Sequence, residues 1–130
     1  MEKPKNMPDS IKKVGFDFEW DDKKLWDLKI ESEYISIDEL TWHFELPFWN
    51  KEGGRYNLTP NEVIANPVQY GNEYNKIMEC DLKYPLNIMF NNDRWVLLDG
   101  LHRLAKAYLA GETKIKVRKV PKSAIPIITK

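Results

Sequence analysis

Cysteine is almost missing from this 130-residue chain. Cys80 stands alone, which excludes an internal disulfide and a multi-cysteine zinc site. The two histidines, His43 and His102, lie far apart without matching acidic spacing, so they do not make a structural zinc site either. Long hydrophobic runs are also missing, and with them any membrane-spanning helix. The N-terminus, Met1 to Pro8, has charge but no apolar stretch behind it, so no signal peptide is expected and the cytoplasm is the expected location. Excess charge is absent as well: 20 Lys and Arg balance 20 Asp and Glu. That argues against gripping long nucleic acid through bulk positive charge, and leaves room only for a local basic face. No Walker A loop and no G-x-S-x-G elbow occurs, so neither a P-loop nor a serine hydrolase is supported.

What is there suits one soluble core. Hydrophobic residues make up 42% and aromatics 12%, too apolar for a disordered chain. The pattern predicts a single α+β domain over 15–130, a small mixed sheet with packed helices, preceded by a loose arm over 1–14. Gly15 to Trp20 alternates and Leu25 to Ile30 is again apolar, so a β-hairpin is expected with Asp21-Asp22-Lys23-Lys24 as its turn. Tyr34 to Ile37 reads as a strand, and Thr41 to Asn57 as a long loop with an aromatic knot. Thr59-Pro60-Asn61-Glu62 is a helix-start signal, with a capping Thr, Pro at the first position and Glu three residues after the cap. A second helix is expected from Asn66-Pro67 to about Glu79. Leu86–Phe90 and Trp95–Leu98 read as strands around a turn at Asn91-Asn92-Asp93. Leu101, Leu104, Ala105, Tyr108 and Leu109 follow one helix face, and Gly111 stops that helix. Lys114 to Val120 alternates as a last strand, with Ile115 and Val117 inward and Lys116 and Arg118 outward.

The chemistry concentrates where a strand hands over to a helix, at Asp99-Gly100-Leu101-His102-Arg103. A helix N-terminus offers free N–H groups and partial positive charge, a natural seat for phosphate. Gly100 lets backbone approach a ligand. Arg103 can grip phosphate oxygens bidentately, His102 can donate a hydrogen bond, and Lys106 sits one turn on. The competing reading is purely structural, with Asp99 as a cap and Arg103 paired to an acid. A Mg²⁺ ion at Asp99 would reconcile that carboxylate with a phosphate. Charge is distributed unevenly in the same sense. Ten acids face three lysines between Asp17 and Glu45, and seven cations face Glu112 alone between Arg103 and Lys122. Either two solvated faces attract each other, or the basic part faces an anionic ligand.

Trp95-Val-Leu-Leu-Asp-Gly-Leu-His-Arg-Leu-Ala-Lys-Ala-Tyr108, followed by Gly111 and the strand Lys114–Val120, resembles the ParB N-terminal-like/sulfiredoxin superfamily. Ile35 to Leu40 and Asp81 to Phe90 fit its upstream pieces, so the resemblance spans roughly 33–120, with 41–80 fitting loosely. It implies a stand-alone ParB-like nucleotide-binding protein that takes ATP or CTP with Mg²⁺, with Gly100, His102 and Arg103 on the phosphates. Sulfinic-acid repair needs a Cys where this chain has Leu101, and the DNA-binding helix-turn-helix of partition proteins is not expected to follow the last strand. Free-serine kinases of the same fold imply phosphoryl transfer, with Asp99 at the metal and Glu45 as base. The alternatives are a DNA-binding or nuclease-type domain, contacting phosphates through Lys106, Lys114, Lys116, Arg118 and Lys119, or a non-catalytic regulatory module. Exposed edges of the expected hairpin permit a homodimer. His43, within Trp42-His-Phe-Glu-Leu-Pro-Phe-Trp49, is either a base or stacking platform beside the nucleotide or part of an aromatic cover on the core edge.

Overall fold

A computed structural model describes residues 16, 18–51, 54 and 56–130; the expected arm over 1–14 and Gly15 lie outside them. The fold is α+β. Helix α1 (Asp22–Asp27) leads into strand β1 (Ser32–Ser36) and two 3₁₀ turns, Ile37–Glu39 and Thr41–Glu45. Helices α2 (Pro60–Ala65) and α3 (Gly71–Glu79) precede strands β2 (Leu86–Asn91) and β3 (Arg94–Asp99). Helix α4 (Leu101–Leu109), strand β4 (Lys114–Lys119), a 3₁₀ turn Lys122–Ala124 and the short helix α5 (Ile125–Ile128) complete the chain.

The four strands form one mixed sheet in the order β1-β4-β2-β3. The outer pairs are antiparallel, with Tyr34 opposite Lys116 and Ile88 opposite Leu97, and the central pair β2–β4 is parallel, with Leu86 opposite Val117. Strand β2 is buried on both faces, as a central strand must be: Leu86, Asn87, Ile88 and Met89 are all inaccessible. One face, with Leu86, Ile88 and Val117, packs on Val63 of α2, Ile77 of α3 and Leu104, Ala105 and Ala107 of α4. The other, with Met89 and Leu98, packs on Leu25 of α1 and on Ala124 and Ile128 near the C-terminus.

Local chemistry explains most elements. Thr59 and Glu62 close a reciprocal capping box at α2: Thr59 Oγ1 accepts from the Glu62 amide at 3.1 Å, and Glu62 Oε1 accepts from the Thr59 amide at 3.0 Å. Asn92 and Asp93 both adopt positive φ, 51° and 65°, in the two-residue turn that right-handed strand twist favours. Helix α4 ends in a Schellman motif, with Gly111 at φ 81° and the Glu112 amide bonded to Ala107 O at 3.1 Å.

The expected hairpin over 15–30 is not formed. Residues 22–27 are helical because Asp21 caps them, its Oδ1 accepting from the Lys24 amide at 3.0 Å, and because Lys23 pairs with Asp27 at 2.9 Å one turn on. The Asp-Asp-Lys-Lys segment is therefore a helix start rather than a turn. Trp20 instead bridges to Thr129, so the C-terminal tail lies beside 19–21. The second expected helix begins at Gly71, after turns at 67–70, rather than at Asn66-Pro67. Within the aromatic loop, Thr41–Glu45 is a 3₁₀ turn that buries His43 and Phe44. Arg118 points away from Val117 as alternation demands, but α1 covers that face, so the side chain is 5% exposed rather than outward.

Candidate functional site

The β3–α4 junction is built as the sequence implies, and its cations separate. Gly100 caps α4 at φ 116°, ψ 22°, a left-handed conformation that excludes most side chains. A Cβ there would lie 2.4 Å from Leu86 Cδ2 and 2.9 Å from the Arg103 guanidinium, so those side chains would have to shift to admit one. His102 and Arg103 occupy the second and third positions of the helix, the end at which the dipole repels cations. Each is met by a carboxylate. His102 Nε2 donates to Glu73 Oε2 at 2.8 Å, and its ring stacks on Trp49 at 4.5 Å with planes 15° apart. Arg103 turns the other way, donating to Asp99 Oδ2 at 3.2 Å and to Pro85 O at 3.4 Å.

Among the sequence-derived candidates, Asp99, Gly100 and Arg103 come together, while His102 faces a different flank. Lys106 is tied to the end of α3, donating to Met78 O at 2.9 Å and Cys80 O at 2.7 Å. Glu45 is exposed at the end of its 3₁₀ turn; the acid that reaches the start of α4 is Glu73. Asp99 Oδ2 accepts from Arg103 and from Trp26 Nε1, each at 3.2 Å, and among the described residues no three His, Cys, Asp or Glu gather as metal ligands. Of the cations assigned to a DNA face, Arg118 is buried, Lys106 is bound to carbonyls and Lys119 pairs with Glu33 at 2.9 Å, while Lys114 and Lys116 have no ion pair among the described residues.

Glu73 sits at the third position of α3, where a carboxylate is favoured by the helix dipole. Its other oxygen accepts from Lys76 at 3.3 Å. The first turns of α3 and α4 thus meet across the Glu73–His102 bond. Glu73 also lines an open cleft of about 640 Å³, together with Asn50, Lys51, Gln69, Tyr70 and Asn72. No side chain caps α3 there. Glu73 carries no sequence signal as His102's partner, because the two are 29 positions apart.

His43 is part of the core edge. Its Nδ1 donates to Leu40 O at 2.7 Å, and Nε2 accepts from the Leu97 amide at 3.0 Å. Burial holds its pKa down to about 4, helped by nearby Arg94. Beside it, Trp42 Nε1 donates to Trp95 O at 3.3 Å, so two side chains seal the middle of β3's outer margin. Cys80 is half-buried, its Sγ donating to Ile77 O at 3.0 Å, and burial pushes the thiol pKa up. That leaves it a weak nucleophile. No helix among the described residues is long and apolar enough to cross a membrane. No family model matches the chain, and neither a curated protein nor a solved structure is detectably similar to it.

Proposed function

We propose that the protein binds a nucleotide in the cleft beside Glu73, with its phosphates toward the start of α3 and Lys51. The observation that carries this reading is an open cleft lined by the first turn of α3, whose Glu73 is bonded at 2.8 Å to His102 in the first turn of α4. The Glu73 carboxylate does not spoil the site for an anion, since Lys76 and His102 already hold it. It serves instead as an acceptor for sugar hydroxyls, while Asn50, Gln69 and Asn72 supply further polar contacts. The D-G-x-H-R resemblance supports the same ligand class, with His102 as the motif residue nearest the cleft. Arg103 in this reading holds Asp99 and the Pro85 carbonyl just before β2. Any Mg²⁺ would arrive on the phosphates.

A thermal-shift panel of ATP, CTP, GTP and ADP, with and without Mg²⁺, tests the reading. At a hundredfold excess over Kd the folded state gains about 2.7 kcal/mol, a shift easily read. Lys51→Ala and His102→Ala should each remove most of it. No shift with any nucleotide at millimolar concentration, in protein that melts cooperatively, would overturn the reading. So would a shift that both substitutions leave untouched.

A further inference from the structure

Arg103 borders a second, separate pocket of about 260 Å³ on the opposite flank of α4. Its floor is apolar, formed by Leu86, Ala107 and Ile115. Four cations also line the pocket, Lys83, Arg103, Lys114 and Lys116, against one lining carboxylate, Glu112. Two of the four are already compensated, Lys83 by Asp81 at 3.7 Å and Arg103 by Asp99 at 3.2 Å. Among the described residues, neither Lys114 nor Lys116 has a carboxylate within ion-pair distance, so the pocket retains uncompensated positive charge. Arg103 also keeps a buried Nε–H without an acceptor. Two tyrosines flank the mouth with their rings largely open, Tyr34 at 64% and Tyr84 at 50% exposure. Each ring lies near a lysine of the same pocket, Lys116 at 5.9 Å from Tyr34 and Lys83 at 5.1 Å from Tyr84.

We infer that this pocket is a binding site for a small aromatic anion, a single ring bearing a carboxylate or phosphate group. Its size decides against anything larger, since it falls just below the usual range of drug-sized sites, about 300 Å³ upward. The apolar floor and tyrosine walls take the ring face-on or edge-on, and Lys114 and Lys116 take the charge. Lone lysines on a flat surface would attract anions without holding them. Here the lysines rim a concavity with an apolar base, which supplies the second half of the recognition. The inference does not depend on the nucleotide cleft, which lies on the other flank of the helix and uses none of these residues.

The test is a titration of the isotope-labelled full chain followed by amide NMR, with phenyl phosphate and benzoate as probes and inorganic phosphate and phenol as controls. Saturable shifts should appear at Leu86, Ala107, Ile115 and Lys116 with one or both aromatic anions, and which of them binds identifies the charged group. The double substitution Lys114→Gln with Lys116→Gln should weaken binding about tenfold, equivalent to about 1.4 kcal/mol. Tyr34→Ala, at the more exposed of the two tyrosines, should weaken it with little change in melting temperature, and His102→Ala should leave it unchanged. Equal shifts with inorganic phosphate would reduce the pocket to a diffuse cationic patch, and equal shifts with phenol would reduce it to an apolar dimple. Either result overturns the inference, as does stronger binding of a short duplex DNA that shifts Lys119 and Lys122 together with Lys114 and Lys116.

Discussion

Glycine 100 and histidine 43 show how much one side chain can decide. At Gly100 a Cβ meets Leu86 at 2.4 Å and the backbone is left-handed, whereas at Gly111 the backbone is also left-handed but a Cβ meets nothing within 4 Å. Gly111→Ala therefore suffers conformational strain alone, about 1 kcal/mol. Gly100→Ala adds a steric clash, for a total of roughly 3 kcal/mol, and urea unfolding of the two variants checks the order. Equal losses would mean that Leu86 yields freely. His43 has the opposite dependence, on protons rather than on space. Its folded pKa of about 4 lies below the usual 6.5, so the neutral ring stabilises the fold fully above pH 6.5. That contribution is lost as pH falls from 6.5 to about 4, and it amounts to about 3 kcal/mol. Urea midpoints across that window should fall steeply for the native chain and less steeply for His43→Leu. Parallel curves would show that some other group titrates.

Single elements divide into those whose signals are local and those whose partners are remote. Thr59→Ala should cost about 1 kcal/mol, the value of a helix cap, and should leave α3 and α4 protected in hydrogen exchange. An undiminished melting temperature would mean that Pro60 alone sets the start of α2. That cap was readable from four consecutive residues, as were the Asn92-Asp93 turn and the Gly111 stop, because each closes within six positions. The strand–turn–helix at 95–109 was readable for the same reason. Residues 22–27 suit a turn as well as a helix in sequence, because an Asp followed by charged residues serves either; the Asp21 cap and the i,i+4 pair Lys23–Asp27 together favour the helix. The site was legible in its residues but not in its grouping. His102 and Arg103 are adjacent in sequence, yet the first turn of a helix aims neighbours about 100° apart. Their carboxylates come from Glu73 and Asp99 on different elements.

At the scale of the whole molecule, the α1 layer is held to the sheet by a cation with no carboxylate on it among the bonds formed by the described residues. Arg118 donates to Asn87 Oδ1 at 2.8 Å and to the carbonyls of Leu25, Leu28 and Ile30, which gather where α1 ends, with Trp26 over its guanidinium at 5.1 Å. The partially negative end of α1 thus stands in for a counter-ion, and burial pulls the guanidinium pKa down without neutralising it. Arg118→Ala leaves those acceptors without donors and should cost about 3 kcal/mol or more. Amide exchange should speed up selectively over 22–30. Uniform acceleration along the chain would show that Arg118 anchors the sheet rather than the layer over it. At the far border of the same sheet, Trp42 and His43 occupy the hydrogen-bonding positions that a newcomer strand would need. A sheet with one closed border cannot propagate by lateral accretion. Two copies could join through their remaining borders, but a third would find no place to dock, so this architecture carries its own brake on fibril growth.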